Sequence, residues 1–350
     1  MRKLIVRSFA LSAALLLAAT AALAADHQAR QSRPIQLGTS GGNVNDASHA
    51  FCCSGTLGSL VTDGTNQYIL SNNHVLARVN QGVAGEAVDQ PGLVDVSCQN
   101  IAADYVANLT RFIPVNFARG STNTVDCAIA KVIAGDVDPN GGILDIGDIS
   151  KTINANPAVG LAVKKSGRTT ALTTGSVTGV NGTFSVQYQA GCGSGKKETA
   201  TFVNQVVFDN ISGGGDSGSL IVENTATCPH PVALLFAGSS STTIGNPIGA
   251  VLSALGVSFV GGTCPASIGS STSGASDFAL QHAIDVQQRA NAQLLQISGV
   301  VGTAVGMNAS GRPVVQVYIE TDNPGVRGQI PAFVEDLDTR VIVSGTIEAF

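Results

Sequence analysis

The chain has 350 residues, a formal net charge of −5 and only 12% charged residues, with 19 Lys and Arg and 41 Gly. Charged residues are about half as frequent as the ~25% usual in globular proteins. So few scattered cations exclude a nucleic-acid-binding face, which must neutralise several phosphates. Length predicts two or three compact units, and the abundance of Gly, Ser, Thr and Val points to β structure.

Arg2, Lys3 and Arg7 precede a mostly apolar run over residues 9–21, and Ala22-Leu23-Ala24 then offers a small-residue cleavage site. That order reads as a signal peptide over residues 1–24, whereas a membrane anchor needs about 20 apolar residues without such an end. Its removal takes away three positive charges and leaves a formal charge of −8. No later segment is apolar enough to span a bilayer. The mature chain is therefore expected to be secreted or periplasmic, with no membrane association.

Seven cysteines lie at positions 52, 53, 98, 127, 192, 228 and 264. Outside the cytoplasm they favour disulfides, with one thiol left over. Cys127, in an apolar run beside Asp126, is the expected spare, and the other six leave 15 pairings open. No two cysteines have the gap of structural zinc sites. The run Asp136-Val137-Asp138-Pro139-Asn140-Gly141 opens like a calcium loop, but Gly147 stands where such loops place a bidentate Glu. No metal and no cofactor are expected. His49, His230 and His282 read as surface or structural residues.

Residues 25–50 are polar, turn-rich and too short to fold alone. From residue 51 to about 262, short β-branched runs at 58–61, 67–70, 128–133, 203–208, 220–222 and 232–237 are bounded by turn residues. That pattern predicts an all-β barrel or sandwich. Residues 263–276 are rich in Gly, Ser and Thr and read as a linker. Asp277 is placed as an N-cap, and Phe278, Leu280, Ile284, Ala290, Leu294 and Ile297 recur at helical spacing. Strand-like runs at 299–307, 313–320 and 340–347 follow, so residues 277–350 predict a small α+β module.

Ser217 lies in Gly213-Gly214-Gly215-Asp216-Ser217-Gly218-Ser219, just before the apolar run Leu220-Ile221-Val222. Glycines ahead of a serine let backbone N–H groups converge on one point, although a flexible loop would read the same way. His74 follows a strand, where a histidine is more often structural. Asp126 sits at a strand edge, where an aspartate usually caps a turn. Together they supply the nucleophile, base and orienting carboxylate that acyl transfer needs, in the order His, Asp, Ser and with gaps of 52 and 91 residues.

At these residues the chain resembles the chymotrypsin-like serine peptidases. The matching positions are His74, Asp126-Cys127-Ala128 and Gly215-Asp216-Ser217-Gly218, with Phe51-Cys52-Cys53-Ser54-Gly55-Thr56-Leu57 like the strand that precedes the family's histidine. Ser166-Gly167-Arg168-Thr169-Thr170 is similar to a stretch of the bacterial secreted branch, the α-lytic and streptogrisin-like enzymes. Over residues 51–262 this resemblance implies a mainly β fold of two six-stranded antiparallel Greek-key barrels, residues 51–160 and 161–262, followed by the C-terminal α+β module.

The resemblance also implies roles: Ser217 as nucleophile, His74 as general base and then acid, Asp126 as its orienter, and the N–H groups of Gly215 and Ser217 as the oxyanion hole. Asp216 would be buried and paired with Arg168. Ile211 and Phe236-Ala237-Gly238 would shape a pocket favouring apolar or small side chains. The implied activity is serine-type endopeptidase cleavage of a protein or peptide substrate through an acyl-enzyme. Departures are Val75 after His74 in place of Cys, Lys164 and Thr174 where bacterial relatives often carry cysteines, and Ser219 for the last Gly of the serine motif. The N-terminal stretch is also far shorter than the folding pro-region of the α-lytic type. The alternative is a catalytically silent chymotrypsin-fold binding protein whose C-terminal module recognises a partner, against which the three retained residues argue. An α/β-hydrolase esterase is disfavoured by Ser219, which breaks Gly-x-Ser-x-Gly.

Overall fold

The computed structural model describes residues 26–189, 191–193, 195–262 and 274–349, the side chains of 274–276 aside. The expected signal peptide and nearly all of the expected linker lie outside the described residues.

The first half contributes β1 (Thr39–Asn43), β2 (Gly55–Leu57), β3 (Ser59–Thr62), β4 (Gln67–Ser71), a one-turn helix α1 (Asn73–Leu76), β5 (Ala87–Asp89), β6 (Tyr105–Phe112) and β7 (Ala128–Val132). The second contributes β8 (Ala162–Gly167), β9 (Ala171–Gln189), β10 (Lys197–Asp209), β11 (Leu220–Glu223), β12 (Pro231–Gly238), β13 (Thr242–Pro247), the helix α2 (Ile248–Leu255) and β14 (Ser258–Phe259). The runs rich in Val, Ile and Leu form these strands because β-branched side chains pack well on a pleated, half-buried surface. Each of the six expected runs falls on a strand, with Gly58 and Ile133 just outside the strand ends.

Strands of the first half join in the order β14-β3-β4-β7-β6-β5-β1-β2, eight strands in one sheet, within the mainly β, double-barrel architecture that was expected. Two of these eight strands come from outside residues 51–160. β1 belongs to the polar segment before residue 51, whose Ile35 and Leu37 are buried in the first core. β14 returns from the second half and pairs with β3. The second half closes with six strands: β10-β13-β12-β11-β8-β9 run in order, and β9 pairs back onto β10. Irregular register between β9 and β10, around Phe202 and Gln205, bends these long strands enough to close the ring.

The C-terminal segment contributes α3 (Gly274–Leu294), β15 (Val300–Met307), β16 (Pro313–Ile319), the short α4 (Pro324–Arg327), β17 (Phe333–Val334), β18 (Leu337–Val343) and β19 (Glu348–Ala349). β15 pairs with β9, so these strands continue the second sheet outward as β9-β15-β16-β18-β17. α3 packs on β15 and β16 over a core that includes Val286, Leu294, Val315, Val317 and Ile319. Of the expected face, Leu294 is buried and Ala290 and Ile297 pack against the same core, whereas Phe278 is 78% exposed; Ala283, Val286 and Gln287 are fully buried beside them. Gln287 is hydrogen-bonded to Asn181, Thr303 and Asn291, so the buried face of the helix also holds a satisfied polar side chain. The helix begins at Gly274, which puts Asp277 in the first turn instead of at the cap.

Disulfides link Cys52 to Cys98 and Cys53 to Cys192, and Cys228 is also disulfide-bonded. Cys127 is free and buried, as expected. The Cys53–Cys192 bond joins the two halves across 139 residues and restricts the unfolded chain accordingly. Among the described residues, no helix is long and apolar enough to cross a membrane.

Candidate active site

β4 ends at Ser71, and α1 begins two residues later, which delivers His74 to the junction of the two halves. Asp126 arrives on the stretch entering β7 and is completely buried. The His74 ring meets it through Nδ1, 2.7 Å from Asp126 Oδ2, and the His74 backbone N–H donates to Oδ1 at 3.2 Å. A buried carboxylate that binds one ring nitrogen fixes the tautomer and orientation of the imidazole.

Asp126 is itself anchored on three sides. Its N–H donates to Asn246 Oδ1 at 2.9 Å, its carbonyl accepts from Asn72 Nδ2 at 2.7 Å, and the Tyr188 hydroxyl donates to Oδ2 at 2.7 Å. Tyr188 also stands edge-on to the His74 ring, with centroids 5.9 Å apart. Burial alone would raise the Asp126 carboxyl, but the charge of His74 and the hydrogen bonds from His74 and Tyr188 hold it below the ordinary range. Burial, reinforced by the Asp126 charge, pushes the Tyr188 phenol well above its usual value, so it remains a donor.

Ser217 lies in the glycine loop before β11 and is buried, with Oγ donating to the Phe236 carbonyl at 3.2 Å. The loop is tied to the first half: Thr56 N–H donates to the Ser217 carbonyl at 2.8 Å, and Thr56 Oγ1 donates to the Gly215 carbonyl at 3.0 Å. Gly215 has φ +96° and Gly218 φ +95°. A Cβ on Gly218 would sit 2.1 Å from Ser71 Oγ, and one on Gly215 2.5 Å from Thr169 Oγ1. Both positions need glycine for conformation and for space.

Asp216 is buried as expected, but its cation is not Arg168. Arg168 makes a two-pronged contact with Asp95, at 2.8 Å from Nε and 2.6 Å from Nη2. The cation beside Asp216 is Lys165, Nζ 3.2 Å from Oδ2, with both side chains fully buried. Asp216 also accepts the N–H groups of Thr169, Thr170 and Gly213 and the Thr170 hydroxyl. Burial lowers the Lys165 ammonium from its ordinary value, against the pull of Asp216. Alternation explains the exchange of partners: on β8 the buried side chains include Val163 and Lys165, so Lys165 points inward, while Arg168 lies beyond the strand end. An inward lysine at a period-two position was the available signal, and Tyr188 and Asn246 carried none.

A cleft opens beside His74, lined among others by Asp46, Val75, Val94, Gly215, Cys192 and Ala349. Asp46 is raised to about 6 there, by burial working against the charges of Arg78 and His74. Ile211 does not line the cleft: it is 3% exposed and packs with Val163, Val177 and Phe208. The strand carrying Phe236, Ala237 and Gly238 is covered at its edge by β19.

This architecture can be compared with solved structures. The chain is similar to bacterial serine proteases. One is described as a glutamic acid specific serine protease that uses a histidine triad in substrate binding: identity is 24%, 64% of this chain and 100% of that chain are covered, and the TM-score is 0.44. Thermobifida fusca Protease A is 19% identical over 65% of this chain and 99% of its own, at a TM-score of 0.44. A Nocardiopsis protease is 16% identical over 64% and 97%, at 0.42. No protein-family model and no curated relative matches the chain.

Proposed function

We propose that the chain is a secreted serine-type endopeptidase with His74, Asp126 and Ser217 as its triad. The observation that carries this reading is the His74–Asp126 hydrogen bond, buried on one side and open to a cleft on the other, beside a glycine loop that presents Ser217. In the reaction Ser217 Oγ gives its proton to the His74 ring as it attacks the substrate carbonyl. Asp126 steadies the imidazolium, and the same ring then protonates the leaving amine. The N–H groups of Gly215 and Ser217 are assigned to the developing oxyanion. The substrate is a protein or peptide, and Val75, Val79 and Val94 in the cleft lining support an apolar or small preference. Disulfides and the expected signal peptide support an extracellular or periplasmic location.

A fluorophosphonate probe is expected to label the chain, and Ser217→Ala to abolish the label. Equal weak labelling of both would overturn the assignment. Tyr188→Phe tests the support of Asp126. Removing a donor to a buried charge costs about 1.5–3 kcal/mol, so the variant is expected to unfold more easily by about that amount. The carboxylate, one donor poorer, then holds the imidazolium more tightly, and the acid limb of the pH profile moves to higher pH. A pH profile and a stability identical to wild type would remove Tyr188 from the site.

A further inference from the structure

β19 is only two residues long, yet it lies between two strands of the second sheet. It pairs antiparallel with β12, Ala349 opposite Ala237 and Glu348 opposite Gly238, and in parallel with β9, Glu348 opposite Gln187. Just before it, Ile347 is fully buried against a cluster that includes Phe236, Ala237 and Tyr188, and its carbonyl accepts the Gln187 N–H at 2.9 Å. Along β19 the opposing residue on β12 steps from Gly238 to Ala237, so the strand runs toward Phe236, whose carbonyl accepts Ser217 Oγ. Ala349 lines the cleft together with His74, Gly214 and Gly215.

An extended segment hydrogen-bonded along a strand edge, running toward the serine, is how a peptide ligand docks by adding a strand. We infer that the edge of β12 beside His74 is an acceptor for an extended peptide and that β19 of the same chain fills it, keeping other peptides out. The occupancy stands on the strand pairing; its consequence as self-inhibition rests on the peptidase reading. No bond is made or broken: Glu348 and Ala349 withdraw, and an incoming peptide takes their place. A tethered occupant acts at an effective concentration on the order of millimolar, so a peptide of ordinary affinity competes poorly with it.

The experiment compares the full chain with a variant ending at Ile347, which keeps the buried side chain and removes Glu348 and the two residues after it. A fluorescent peptide with the sequence of residues 343–350 is titrated into each, and fluorophosphonate labelling is followed in parallel. The variant is expected to bind the peptide and to label about tenfold faster or more, with added peptide slowing it again. Equal binding and equal labelling of the two forms would overturn the inference. Thermal melting checks that the variant is folded; if it is not, Ala349→Pro in the full chain, which cannot donate its N–H to the strand pair, is read by the same two measurements. Peptide binding gained without labelling of either form would uphold the occupancy and defeat the peptidase reading.

Discussion

Lys165→Met is expected to destabilise the chain by about 3–5 kcal/mol and to abolish active-site labelling, because it strands a buried carboxylate. Lys165 and Asp216 are both fully buried, and Lys165 Nζ also donates to Thr170 Oγ1 and, at 3.0 Å, to the Ala171 carbonyl. Asp216 in turn gathers the N–H groups of Thr169, Thr170 and Gly213. Those bonds hold the β8–β9 turn against the loop that presents Ser217. A buried charge without its partner either draws in water or takes up a proton, and both outcomes loosen that loop. Urea unfolding followed with fluorophosphonate labelling checks the two effects together. A second variant, Lys165→Met with Asp216→Asn, is expected to regain much of the stability, since no charge is then buried. Arg168→Ala leaves Asp216 paired and acts instead on Asp95. If Lys165→Met were as stable and as reactive as wild type, Asp216 would not depend on Lys165.

The second large effect is expected at Asp126. Asp126→Asn presents His74 Nδ1 with an amide that cannot hold the ring in the tautomer the reaction needs or stabilise the imidazolium. By analogy with carboxylate-to-amide changes in such triads, kcat should fall by roughly 10⁴-fold. The fold should survive, because Asn fills nearly the same space. The change also has a sign in pH. A carboxyl held below its ordinary value contributes stability above the unfolded value and loses it as pH falls through the folded one. Wild type should therefore lose this contribution on acidification below about pH 4, whereas the Asn variant lacks that loss. Peptide hydrolysis and thermal melting across pH measure both. A kcat within a few-fold of wild type would show that the His74–Asp126 contact has no part in turnover.

The six expected strand runs were legible because alternating or continuous apolar side chains reveal a buried strand regardless of what it pairs with. The glycine loop around Ser217 was legible because a positive φ and close approach exclude other residues, as at Gly215 and Gly218. The burial of Gln287 on α3 was not legible, since the residues that satisfy it, Asn181, Asn291 and Thr303, are brought to it by the fold. Nor was the pocket: Ile211 lies at the expected distance before Ser217 but turns into the core. Spacing along a chain specifies separation and leaves open the direction in which a side chain points.

By itself the sequence determined the order and spacing of His74, Asp126 and Ser217 and the local turns on which they lie, because strand periodicity and glycine conformation are properties of neighbours in the chain. The tertiary structure alone decided the long-range pairings. His74 and Asp126 are 52 residues apart and meet at 2.7 Å. Asp216 takes Lys165 in place of Arg168, Tyr188 reaches Asp126 from β9, and residues 348–349 return to the edge of β12. Each contact depends on strand register and on which face a side chain occupies. Those are set by how two sheets and their cores pack together, a balance that no short stretch of sequence records.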